Sequence, residues 1–115
     1  MQHYALIFHT TRPLTPEEVQ RRGPEIQAWV KTVNSKGFTL DPRAFGETVA
    51  TLSQQQGDVI ARNGSSDPAL VNIVFFDAPN KDQALEIARI HPGLHYGVTV
   101  EVREWSTPRP PVAAQ

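Results

Sequence analysis

A chain of 115 residues is sized for one domain with one core. Its 11 basic and 12 acidic side chains nearly cancel, to a formal net charge of −1, which argues against the basic footprint of a nucleic-acid or anionic-lipid binder. The absence of cysteine excludes disulfides, thiolate nucleophiles and zinc–thiolate sites, and favours the cytoplasm for a domain this small.

Tyr4–His9 reads as a strand that is apolar nearly throughout, as expected of one covered on both faces. Tyr4, Leu6 and Phe8 point one way, and Ala5, Ile7 and His9 the other. Residues Met1–His9 have no basic lead and only a short apolar run, so no export signal is expected. No stretch approaches the ~20 apolar residues of a membrane span.

Thr15 then caps a helix, with Pro16 at its first position and Glu18 completing a Thr-x-x-Glu capping box. Val19, Ile26, Trp29, Val30 and Val33 fall on one stripe at helical spacing. Arg21 and Arg22 read as part of its solvated side. Pro24 should kink or restart the helix, and Gly37 should stop it.

Ala44–Leu52 has strand character, and Val59–Ala61 is a second short apolar piece. With an exposed turn over Gln54–Asp58 between them, a β-hairpin is predicted. Leu70–Asp77 is the strongest strand in the chain, rich in β-branched and aromatic residues. Asn80 can cap a second helix, with Ala84, Leu85, Ile87 and Ala88 toward the core and Pro92 ending it. Val98–Trp105 alternates as a last strand, with Val98, Val100 and Val102 inward and Thr99, Glu101, Arg103 and Trp105 opposite. Residues 1–106 are thus expected to form one domain. Residues 107–115, with Pro108, Pro110 and Pro111, form a proline-rich tail of frayed or polyproline II character.

This order of elements predicts an α+β fold: an antiparallel sheet of ferredoxin-like βαββαβ type with two helices on one face. The opposite face would carry Ala5 and Ile7 beside Glu101, Arg103 and Trp105. That mixture favours a partner over water, and a second copy across a twofold axis is the commonest solution.

The block Asp82-Gln83-Ala84-Leu85-Glu86-Ile87-Ala88-Arg89-x-His91-Pro92-x-Leu94-x-Tyr96-Gly97-x-Thr99-Val100-Glu101-Val102-Arg103 resembles the closing signature of the YCII-related (DGPF-type) family. Tyr4-Ala5-Leu6-Ile7-Phe8, Leu14-Thr15-Pro16-Glu17-Glu18 and Trp29 ahead of Gly37 fit the same pattern. The resemblance implies a ferredoxin-like fold assembled as a dimeric α+β barrel. The YCII branch carries a histidine on the first helix and an aspartate before the proline that follows the second. Those positions are Ile26 and His91 here, so the resemblance implies fold and assembly and no catalytic pair. Asn63-Gly64-Ser65-Ser66-Asp67-Pro68 stands where the other branch has Asp-Gly-Pro-Phe.

The candidate pocket residues are His9, His91, His95, Tyr96, Glu101 and Arg103. An imidazole moves protons near neutral pH, and a carboxylate with an arginine can orient a small anionic or enol substrate. Simpler roles compete: His91 in a helix C-terminal turn, Tyr96 in packing, Glu101 and Arg103 as a same-face strand pair, His9 as a surface group. No metal is expected, because Pro92 and Gly93 break the helical spacing of His91 and His95. Ser65-Ser66-Asp67 lacks a nucleophile elbow, Gly46 and Gly64 fit no phosphate loop, and no cofactor is expected. The residues favour a small-molecule-binding homodimer, with weak acid–base activity in a cleft between sheet and helices as an extension. A non-catalytic interaction or regulatory module is the alternative. A concave pocket lined by one of the candidate residues with a perturbed pKa would favour binding; a filled interior would favour the module.

Overall fold

The computed structural model describes residues 1–65 and 67–108. In chain order it contains strand β1 (Gln2–Thr10), helix α1 (Pro16–Ser35), strands β2 (Asp41–Ala44), β3 (Thr51–Gln55), β4 (Asp58–Arg62) and β5 (Leu70–Ala78), helix α2 (Lys81–Arg89), a 3-10 turn (Pro92–Tyr96) and strand β6 (Val98–Glu104). Ser66 and the part of the proline-rich tail over residues 109–115 lie outside the described residues.

The start of α1 is dictated locally. Thr15 Oγ1 accepts from the Glu18 amide at 3.2 Å, and Glu18 Oε1 accepts from the Thr15 amide at 2.9 Å. This reciprocal pair satisfies two of the orphan donors of the first turn. Arg12 grips the same carboxylate with two bonds of 2.8 Å. Those bonds, Arg12 first, pull the Glu18 carboxyl down to about 2.

Past its first turns the helix departs from expectation in two ways. It runs unbroken through Pro24. The missing Pro24 amide frees the carbonyl of Gln20, which sits on an exposed turn where water can serve it. Val19, expected on the buried stripe, is 48% exposed. The N-terminal half of α1 lies against the 3-10 turn rather than the sheet, so burial begins in earnest only at Trp29 and Val33.

In α2, Asn80 Oδ1 caps the Gln83 amide at 3.0 Å. Ala84, Ile87 and Ala88 are buried, at the i, i+3, i+4 spacing of one face. Leu85 is turned about 100° from Ala84 on the helix and is 40% exposed, which corrects its core assignment.

The main sheet runs β2–β5–β1–β6, with every neighbouring pair antiparallel. One face carries Tyr4, Leu6 and Phe8 of β1 with Val74, Phe76 and Ala78 of β5. It meets Trp29 and Val33 of α1 and Ala84, Ile87 and Ala88 of α2 in a single core, with Val98, Val100 and Val102 packed at its margin. The Trp29 indole donates to the Ile87 carbonyl at 3.0 Å and ties the two helices together.

The other face remains open among the described residues. Ile7 pairs with Ile73 and Ala5 with Phe75 at its centre. The Glu101–Arg103 pair (2.9 Å) flanks them on β6 and the Asp41–Arg43 pair (3.2 Å) on β2. Trp105 folds over one end, 4.8 Å from the His3 ring and 5.7 Å from Phe75, with its indole donating to the Tyr4 carbonyl.

The middle of the chain corrects the expected hairpin. The strand predicted over Ala44–Leu52 does not form: only Ala44, ending β2, and Thr51 and Leu52, opening β3, are strand, and they belong to two sheets. β2 runs along β5 until β5 itself ends, and the last link is the Phe45 amide to Val71 at 2.9 Å. With no partner strand left, the chain peels off at residues 46–50. Pro42 is tolerated because β2 is an edge strand. The hairpin proper is β3–β4, and its turn is tighter than expected. Gln54 and Gln55 are in the strand, and Gln56 (φ 51°) and Gly57 (φ 87°) make the reversal. Two consecutive positive φ values are the mark of a type I′ turn, which suits glycine at the second site. β3 and β4 pack on each other and hardly at all on the body, leaving Leu52 66% and Val59 71% exposed.

Candidate functional site

The six candidate residues do not meet. Glu101 and Arg103 lie on the open sheet face, paired with each other and exposed. Strand alternation places them on the side away from the helices, as it must for residues alternating with Val100 and Val102. His9 pairs with Asp67 at 3.1 Å near the start of β5. His95 is exposed on the 3-10 turn. Tyr96 is buried, and its hydroxyl donates to Glu25 Oε1 at 2.7 Å, clamping α1 to the turn. That bond raises the Tyr96 pKa. Only His91 reaches a cavity.

That cavity, about 570 Å³, lies between α1 and the helix-side face of β2, β5 and β1. Phe8, Ile26, Trp29, Val30, Leu40 and Val74 make most of its wall. Thr10, Arg22, Asn34, Asn72 and His91 contribute its main polar groups. It exists because α1 leans toward the 3-10 turn and leaves the sheet beside β2 unroofed. Its size falls within the usual ~300–1,000 Å³ of small-molecule sites.

His91 is 7% exposed. It caps the 3-10 turn rather than ending α2, which corrects the helix C-terminal role expected for it. Its Nδ1 accepts from the Gly93 amide at 2.9 Å. A backbone amide can only donate, so the ring proton belongs on Nε2. The ring sits 4.6 Å from both Phe8 and Trp29, tilted on the first and edge-on to the second. Burial among these rings lowers its pKa from 6.5 to about 4. At neutral pH the side chain is therefore an uncharged hydrogen-bond donor and a poor base. Gly93 is required for this arrangement, since a Cβ there would stand 2.9 Å from Nδ1.

Sequence reasoning missed most of the wall. Trp29 and Ile26 read as ordinary core positions, and Asn34 and Asn72 gave no signal. Arg22 read as solvated, yet it is half-buried at the cavity. Its distance in sequence from His91 hides their proximity. Among the described residues no three histidine, aspartate or glutamate side chains gather to hold a metal, and no described helix is long and apolar enough to cross a membrane. No protein-family model matches the chain, and no curated protein is detectably similar to it.

Proposed function

We propose that this chain is a cytoplasmic, small-molecule-binding homodimer of the YCII-related type, a ferredoxin-like domain completed as a dimeric α+β barrel. The observation that carries the binding reading is the 570 Å³ cavity with a buried, neutral His91 on its wall. The sheet order β2–β5–β1–β6, with α1 and α2 on one face, supports the ferredoxin-like assignment. Chemistry at the site rests on hydrogen-bond donation from His91 Nε2 to a ligand oxygen, not on proton abstraction.

The open face supports the dimer. At ~3.3 Å per residue and ~4.8 Å between strands its four strands offer about 460 Å², over half of the ~800 Å² per partner of a stable interface. Its centre is apolar and each edge holds one acid and one base, so a twofold copy meets both signs.

Three measurements test the proposal. Light scattering should give twice the protomer mass, and a monomer at micromolar concentration overturns the assembly. Trp105→Ala, which removes the ring over His3 and Phe75, should weaken association by about tenfold or more. A thermal-shift screen of small amphiphiles should find compounds that stabilise the native chain and not an Ile26→Trp variant with a filled cavity; equal shifts in both contradict the site.

The β3–β4 hairpin favours a second reading, the non-catalytic interaction module. A two-stranded hairpin is marginal alone, and this one presents Leu52 and Val59 to solvent, with Val49 exposed in the segment leading into it. A cavity that takes no small molecule, together with loss of assembly in Leu52→Asp, would support that reading instead.

A further inference from the structure

We infer that the cavity selects an apolar molecule bearing a single negative charge, a monocarboxylate, with Arg22 meeting the charge. The inference rests on the binding reading above. Among the described residues, Arg22 is the one charged side chain on the cavity wall, and no carboxylate lines it. The two acids placed to neutralise Arg22 along α1 are engaged elsewhere. Glu18, four residues before it, is held by Arg12 through two bonds of 2.8 Å. Glu25, three residues after it, accepts the Tyr96 hydroxyl at 2.7 Å. Arg22 forms no ion pair among the described residues.

Arg22, half-buried on the wall of a largely apolar chamber and without a carboxylate in ion-pair contact among the described residues, favours an incoming anion. The fork of an arginine fits a carboxylate with two parallel bonds. The rest of the polar wall is neutral. Asn34, Asn72 and the His91 Nε2–H can bond to oxygens but cannot balance a second charge. A dianion such as a phosphate monoester would bring one charge more than the site can meet. The apolar wall from Phe8 and Trp29 to Leu40 and Val74 takes the remainder of the molecule.

Isothermal titration calorimetry with decanoate, decanol, decylamine and decyl phosphate tests this. Decanoate should bind about tenfold tighter than decanol, with decylamine weakest and decyl phosphate no tighter than decanoate. In Arg22→Gln, decanoate should fall to the level of decanol while decanol binding is unchanged, and Arg22→Lys should keep most of the preference. Equal binding of decanoate and decanol to the native chain overturns the charge inference alone. So does tighter binding of decyl phosphate, or a preference that survives Arg22→Gln. If none of the four binds, the cavity is not a site for such ligands, and the binding reading fails together with the inference.

Discussion

Replacing Trp29 with alanine should lower the unfolding free energy by about 3–5 kcal/mol, the usual cost of truncating a buried tryptophan. The indole is 5% exposed and joins three parts of the molecule. It fills the core between α1 and the sheet. Its Nε1 donates to the Ile87 carbonyl in the last turn of α2 at 3.0 Å, and its ring makes a T-shaped contact with the His91 ring. Truncation opens a void and removes the link between the helices. In a domain whose total stability is of order 5–15 kcal/mol, that is a large share of the whole. Trp29→Phe separates the two effects: it keeps a ring and loses the bond, and should cost about 1 kcal/mol for the bond plus a smaller packing loss. Urea denaturation reads both variants. A loss below about 1 kcal/mol for Trp29→Ala would show that the helices are held by something else.

Acid should weaken the fold in two separate steps. The first belongs to His91. Its folded pKa of about 4 lies below the ordinary 6.5, so the unfolded chain binds the extra proton more readily. The neutral ring's contribution is complete above about pH 6.5 and is lost as pH falls toward 4. The full loss amounts to roughly 3 kcal/mol. The second step belongs to Glu18, whose lowered pKa contributes above its ordinary 4.5 and is lost as pH falls toward 2. His91→Asn should remove the first step and spare the second. Asparagine can still accept the Gly93 amide as a cap, but it does not titrate. Denaturation curves taken at intervals from pH 7 to pH 3 should therefore be flatter above pH 4 for the variant. Parallel slopes in that window would mean that burial of a neutral imidazole is not what the acid disrupts.

How far the sequence could be read depended on the range of the forces involved. The capping box at Thr15 and Glu18 was legible because all its atoms lie within one turn of chain. So was the Asn80 cap. The inward set Val98, Val100 and Val102 followed from the period of two, and Ala84 with Ala88 from the period of a helix. Leu85 was misplaced because it lies about 100° off the stripe of Ala84, Ile87 and Ala88. Val19 was misplaced because periodicity says which residues share a stripe and not where along the element its cover begins and ends. The strand expected over Ala44–Leu52 failed for a similar reason. Its propensity was adequate, but β5 begins at Leu70, two residues from Ala44's partner Asn72, and a strand without a neighbour does not persist.

The site was the least legible part. Linear proximity grouped His91, His95, Tyr96, Glu101 and Arg103, and the sheet divided them. Residues adjacent on a strand face opposite ways, so a cluster in the sequence becomes two faces in space. What the chain alone determined is the α+β class, the caps, and the inward and outward sides of β1 and β6, all consequences of spacing over a few residues. What only the tertiary structure decided is the lean of α1 over the 3-10 turn, the cavity this leaves, and the meeting there of Arg22, Trp29 and His91. Those depend on how distant segments pack, and pairings across some seventy residues leave no trace in local pattern.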